Sequence, residues 1–239
     1  MRYQNCIFDL YGTLVDIHTN EDSPALWRSM AEWYSQQGAA YRPEELHRAY
    51  LRAVAQAGGL SGGDTHEGYP EIRLDLVFQE LFRKKGADTG VEQAIRAGRR
   101  FRELSTEYIR LYSGVKKLLG DLRARGGGVW LLSNAQSIFT VWELERLGLA
   151  EYFDGIYLSS DYGVKKPDPR FFRALLEERG ILPETAVMIG NDGLCDIQGG
   201  KAVGLDTIYI HSNLSPDEPT PDADFVLELM DLERVLILR

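Results

Sequence analysis

The chain has 239 residues, 44% of them hydrophobic and 26% charged, a mixture that excludes disorder and allows one large domain or a core carrying an insertion. Twenty-seven Lys plus Arg stand against 36 Asp plus Glu, a formal net charge of −9, so the summed field repels polyphosphate and excludes nucleic acid as the expected partner. Cys6 and Cys195 lack disulfide or metal-type spacing, and no apolar run reads as a leader or a membrane span, which predicts a cytoplasmic protein without a membrane partner.

In chain order, Cys6-Ile7-Phe8 reads as a buried strand that delivers Asp9 at its tip, with Tyr11-Gly12-Thr13 as the breaker behind it. From Ser23 to Tyr112 the pattern turns helical, with stretches at Pro24 to Gln37 and Pro43 to Gln56 separated from later helices by a Gly-rich run at Gly58 to Gly68. A helix over Gly114 to Arg125 leads to the strand Val129 to Leu132, which ends at Ser133-Asn134, and Phe139 to Leu147 is helical again. Further strands follow at Ile156 to Leu158, at Ala186 to Ile189 ahead of Gly190-Asn191-Asp192, at Thr207 to Ile210, and at Phe225 to Leu227 after a Pro-rich loop at Ser215 to Pro221. Strands alternating with helices predict an α/β fold with a doubly wound parallel sheet, and the all-helical block becomes a cap inserted after the first strand. The boundaries expected are 1–17 and 109–239 for the core and 18–108 for the cap.

Ligands of such sheets bind at the carboxyl ends of the strands, so Asp9, Ser133, Lys166, Asp192 and Asp196 are the polar residues placed to converge. A strand-tip carboxylate such as Asp9 can attack an electrophile when a cation steadies it. Asp192 and Asp196 offer the oxygen-only donors that suit Mg²⁺, Ser133 with Asn134 offers donors for an anionic oxygen, and Lys166 brings positive charge. This mixture fits nucleophilic displacement on a small, anionic substrate, with phosphoryl transfer as the reaction that most needs it.

Phe8-Asp9-Leu10-Tyr11-Gly12-Thr13-Leu14, Leu132-Ser133-Asn134, Lys166-Pro167-Asp168-Pro169 and Ile189-Gly190-Asn191-Asp192-Gly193-Leu194-Cys195-Asp196 resemble, in order, the four motifs of the haloacid dehalogenase superfamily. The resemblance implies a Rossmann-like core, a helical cap, Asp9 as nucleophile, Ser133 on the transferring group, and Lys166 steadying both. It also implies Mg²⁺ held by Asp9, the Tyr11 backbone carbonyl, Asp192 and Asp196, in an enzyme hydrolysing a phosphomonoester. Tyr11 departs from the pattern, because phosphatases of the superfamily carry a second Asp there as general acid and base. A tyrosine at this place resembles the metal-independent 2-haloacid dehalogenases, whereas the fourth motif resembles the metal-binding phosphatases. Phosphatase, best on good leaving groups, is the expectation; dehalogenase and a non-catalytic binding protein are the alternatives.

Around these motifs, Asp168 is expected to start a helix rather than catalyse, and Arg96, Arg99, Arg100 and Arg102 are expected to face water. His18, with Thr19 and Asn20, follows the first motif closely enough to border the site entrance, where His18 offers either proton transfer or, as the ordinary alternative, a hinge hydrogen bond. The Gly58 to Gly68 run, with Asp64, His66 and Glu67, offers either a specificity loop or a plain connection between helices, and Trp27, Trp33 and Tyr34 are read as cap packing. Oligomeric state and natural substrate leave no mark in the sequence.

Overall fold

The computed structural model describes residues 3–60, 71–87 and 90–238. Strand β1 (Asn5–Phe8) is followed by β2 (Val15–Thr19), then by helices α1 (Pro24–Gln36), α2 (Pro43–Leu60), α3 (Leu74–Arg83) and α4 (Val91–Ser105), and by β3 (Thr106–Leu111). The remainder alternates: α5 (Val115–Ala124), β4 (Gly128–Ser133), α6 (Ser137–Leu147), β5 (Gly155–Leu158), α7 (Ser159–Tyr162), α8 (Pro169–Arg179), β6 (Ala186–Gly190), α9 (Gly199–Ala202), β7 (Asp206–Ile210), β8 (Phe225–Leu227) and α10 (Val235–Leu238). No helix among the described residues is long and apolar enough to cross a membrane.

Six strands form one parallel sheet in the order β5-β4-β1-β6-β7-β8, the Rossmann-like architecture. Its strands are apolar on both faces because helices cover both sides. Along β1, Cys6 and Phe8 join one buried cluster with Val129, Leu131, Val187 and Ile189, while Ile7 joins the other with Leu132 and Met188. After β1 the chain builds toward β5 and then returns across β1 to lay down β6, so the order reverses at β1 and opens a crevice beyond its carboxyl end.

The helices α1 to α4 pack around a cluster of their own, with Trp27, Tyr34, Phe78, Phe82 and Phe101 buried together, and Trp33 lies partly buried against it. They join the sheet domain through a ribbon that the sequence pattern did not reveal: β2 pairs antiparallel with β3, which lies at the end of the span from Ser23 to Tyr112 read as helical. Its strands carry few contiguous apolar residues, and Asp16, Arg110 and Tyr108 support one another there instead. The helical unit also docks on α6, where a Cβ on Gly98 would stand 2.4 Å from Ile138 Cδ1, so a larger residue there would require the end of the Ile138 side chain to move. Most of the Gly58 to Gly68 run, including Asp64, His66 and Glu67, lies outside the described residues.

Candidate active site

Asp9 follows the last residue of β1, and its N–H donates to the Ile189 carbonyl of β6 at 2.9 Å. On the other side Phe8 is in register with Leu131 of β4, which brings Ser133, the last residue of β4, to the same edge. Ser133 Oγ donates to Asp9 Oδ1 at 3.2 Å. The turn that releases the chain from Asp9 needs Gly12, whose φ is +85° and whose missing Cβ would fall 2.3 Å from Asn191 Nδ2. A side chain there meets both backbone strain and a collision.

Lys166 is completely buried and bridges the two ends of the sequence. Its Nζ lies 2.8 Å from Asp9 Oδ1 and 2.6 Å from Asp196 Oδ1. Asn134 holds it in place, donating Nδ2 to the Lys166 carbonyl at 2.9 Å and accepting the Lys166 N–H at 2.7 Å. Asp196 packs on Gly190, where a Cβ would meet its Oδ2 at 2.1 Å, and that Oδ2 accepts the Asp192 N–H at 3.0 Å. Asp192 in turn caps the helical turn Gly193–Gln198, its Oδ1 accepting from the N–H groups of Leu194 and Cys195.

The electrostatics follow from burial. Asp196 is pushed up to about 7 by loss of solvent, with the Lys166 ammonium opposing and the Asp9 charge reinforcing the rise. Burial works to lower Lys166, but Asp196 and Asp9 outweigh it and hold the ammonium above the usual lysine range. Cys195, in the wall of the pocket, has its thiol pushed up to about 12 by burial and by Asp192 and Asp196, so it is a poor nucleophile.

Tyr11 points elsewhere. Its hydroxyl donates to Glu143 of α6 and lies 3.0 Å from Thr140 Oγ1. Burial, then the Glu143 charge, raises the phenol well above its ordinary value. Arg102 of α4 closes this arrangement, with Nε 2.6 Å from Glu143 Oε1 and the guanidinium 5.6 Å from the Tyr11 ring centroid.

The structure thus brings Asp9, Tyr11, Ser133, Asn134, Lys166, Asp192 and Asp196 to the wall of one open pocket of about 170 Å³. Asp168 caps α8 and accepts the Arg170 N–H at 2.8 Å, as a helix-entry residue does. The arginine cluster divides: Arg96 and Arg100 are solvated, but Arg102 is largely covered and paired with the buried Glu143, contrary to the expected water-facing cluster. The Arg102–Glu143 contact joins residues 41 apart in sequence, and spacing alone gives no signal for it. His18 stands on the ribbon, 3.0 Å from Glu107 with both side chains more than half exposed, and does not line the pocket. Sequence reasoning passed over Thr13, whose Oγ1 lies 3.3 Å from Asp9 Oδ2 and 3.2 Å from Asn191 Oδ1; its place inside the first motif was the available signal. It also passed over Leu214 and Pro216, which supply an apolar part of the wall from the loop after β7.

Among the described residues no three His, Cys, Asp or Glu side chains form a ready-made metal cage. Mg²⁺ does not require one, since it takes one or two carboxylates and completes its shell with carbonyls, water and phosphate oxygens. The pocket offers that oxygen-rich set, and its acidic excess over Lys166 favours a cation. Asp196 has partners on both oxygens, and Asp192 Oδ1 accepts from two backbone N–H groups.

The family model for haloacid dehalogenase-like hydrolases matches residues 3–204. A phosphoserine phosphatase of Thermus thermophilus is 32% identical over 174 residues, covering 70% of this chain and 69% of that protein. A glyceraldehyde 3-phosphate phosphatase of Methanopyrus kandleri is 28% identical over 210 residues, covering 81% and 90%. Among solved structures, a 2-haloacid dehalogenase from Pseudomonas syringae pv. tomato superposes with a TM-score of 0.63 at 19% identity, covering 99% of both chains. With the parallel sheet, its crevice at β1 and a family match across most of its length, this chain belongs to the haloacid dehalogenase-like hydrolases.

Proposed function

We propose that the chain is a Mg²⁺-dependent cytoplasmic phosphatase that hydrolyses a small anionic phosphomonoester through a phosphoryl-aspartate on Asp9. The observation that carries this reading is the Asp9 carboxylate, held on Oδ1 by Lys166 and Ser133 at the crevice of the sheet. Relatives at 28–32% identity are named as phosphatases of small phosphorylated compounds, which favours phosphorus over carbon as the electrophile.

In this mechanism Asp9 attacks phosphorus through Oδ2, whose hydrogen bond from Thr13 is long at 3.3 Å. Lys166 and Ser133 hold the phosphoryl oxygens, and water then cleaves the acyl phosphate and restores the carboxylate. Bound Mg²⁺, with Asp9, the Tyr11 carbonyl, Asp192 and Asp196 as its candidate holders, would neutralise charge on the phosphoryl group. The Tyr11 hydroxyl keeps its proton and donates it in a hydrogen bond to Glu143, so the leaving group departs with little help. Tyr11→Asp is expected to raise turnover of esters with poor leaving groups, within the roughly 10²–10⁴-fold span of general acid catalysis, and to change good ones little.

The test is phosphate release from a panel of esters with and without EDTA. Activity that chelation abolishes and Mg²⁺ restores supports the proposal, and turnover undiminished by EDTA defeats it. Tyr11 also favours a second reading, a 2-haloacid dehalogenase in which Asp9 displaces halide from carbon. EDTA-indifferent halide release would establish that reading, and none across a set of 2-haloacids removes it.

A further inference from the structure

The helical unit reaches the sheet domain through the ribbon of β2 and β3, and one contact of that ribbon leads straight into the pocket wall. Asp16 of β2 is only 3% exposed and gathers donors from separate parts of the chain: Arg110 Nη2 at 2.7 Å, Arg110 Nε at 2.8 Å, Tyr108 Oη at 3.3 Å and Asn213 Nδ2 at 3.0 Å. Asn213 is held at its other end too, because its Oδ1 accepts from the Tyr112 hydroxyl at 2.6 Å. Both ends of one side-chain amide therefore grip the ribbon and the residue following it. Ser212, the neighbour of Asn213, closes a tight turn by hydrogen bonding with Ser215 and accepts the Leu214 N–H on its hydroxyl, which ties Leu214 into the turn directly ahead of Pro216.

Leu214 and Pro216 supply apolar lining to the same pocket that Asp9, Ser133 and Lys166 line. Asp9, Ser133 and Lys166 suit the phosphoryl group, which leaves Leu214 and Pro216 as apolar surface for the remainder of a substrate. We infer that Asn213 is a positioning residue that fixes this wall to the ribbon, so that the size of leaving group accepted by the site is set through the joint that carries the helical unit. The kinetic part of this inference rests on the phosphatase reading; the mechanical part does not.

Two measurements separate them. Amide hydrogen exchange over residues 212–215 is expected to accelerate at least tenfold in Asn213→Ala, and also in Asp16→Ala, which removes only the far side of the contact. Unchanged exchange in Asp16→Ala would overturn the coupling whatever the protein catalyses. In steady-state kinetics, Asn213→Ala is expected to raise KM at least fivefold for an ester with a bulky leaving group. Inhibition by inorganic phosphate, which needs only the residues suited to the phosphoryl group, is expected to stay within twofold. KM and phosphate inhibition weakening together would mean general loss of structure and would overturn the positioning role, as would an unchanged KM. Absence of turnover in the unaltered protein would remove the phosphatase reading and leave the exchange result standing.

Discussion

The buried pair between Arg102 and Glu143 gives the sharpest test of how the helical unit is held on the sheet domain. The side chains are 11% and 3% exposed, Nε lies 2.6 Å from Oε1, and the other Glu143 oxygen accepts the Tyr11 hydroxyl. Glu143→Leu leaves a guanidinium buried without its counter-ion and removes one partner of Tyr11. Breaking a buried pair from one side costs about 3–5 kcal/mol, whereas replacing both members with apolar residues of similar volume is often neutral or stabilising. For a chain of this size about 1 kcal/mol corresponds to roughly 2–4 °C in Tm, so Glu143→Leu is expected to melt about 6–20 °C lower. The double variant Arg102→Met with Glu143→Leu should recover most of that loss. Thermal melts give the Tm change, and urea unfolding followed by circular dichroism and by tryptophan fluorescence gives the free energy of both variants, with Trp27 and Trp33 reporting from the helical cluster. A single variant costing under about 1 kcal/mol would refute the reasoning, because an effect that small belongs to a solvated surface pair.

Lys166→Met removes the ammonium shared by Asp9 and Asp196, and kcat is expected to fall at least about 10²-fold, the scale of losing one preorganised stabilising donor; a loss under tenfold would take Lys166 out of the phosphoryl site. The Asp16 carboxyl makes a prediction in pH. Burial works to raise it, but hydrogen bonds from Asn213 and Arg110 outweigh burial and hold it below its ordinary value. A carboxyl depressed in the folded state contributes stability that is fully present above its unfolded value of about 3.9 and is lost as pH falls through the folded one. Acid titration of stability should therefore be steeper below about pH 4 in the unaltered protein than in Asp16→Asn, and equal slopes would contradict the depressed carboxyl.

Much of the sheet and its polar edge was legible because strand-length apolar runs ending in Asp9, Ser133 and Gly190 can be read locally. Parallel strands buried on both faces need no long-range information to be recognised. Lys166 was harder, since its value lies in reaching two carboxylates from distant parts of the chain, one of them Asp9, 157 positions away; only its motif marked it. The ribbon was missed for a physical reason: Asp16, Arg110 and Tyr108 support it through polar contacts, and polar strands carry a weak hydrophobic alternation. Arg102 was misread because three of its neighbours in sequence, Arg96, Arg99 and Arg100, are exposed, while the helix turns Arg102 alone of that group toward Glu143. Leu214 and Pro216 gave no local signal, being ordinary loop residues until Asn213 fastens them to the ribbon.

Covalent participation of Asp9 is tested most directly by mixing the protein with an aryl phosphate carrying labelled phosphorus, quenching in acid within one turnover, and locating the label by peptide mass spectrometry. Label on the peptide containing Asp9, and none in Asp9→Asn, is the predicted result. Steady phosphate release from the unaltered protein with the label on another residue, or with Asp9→Asn equally active, would contradict it.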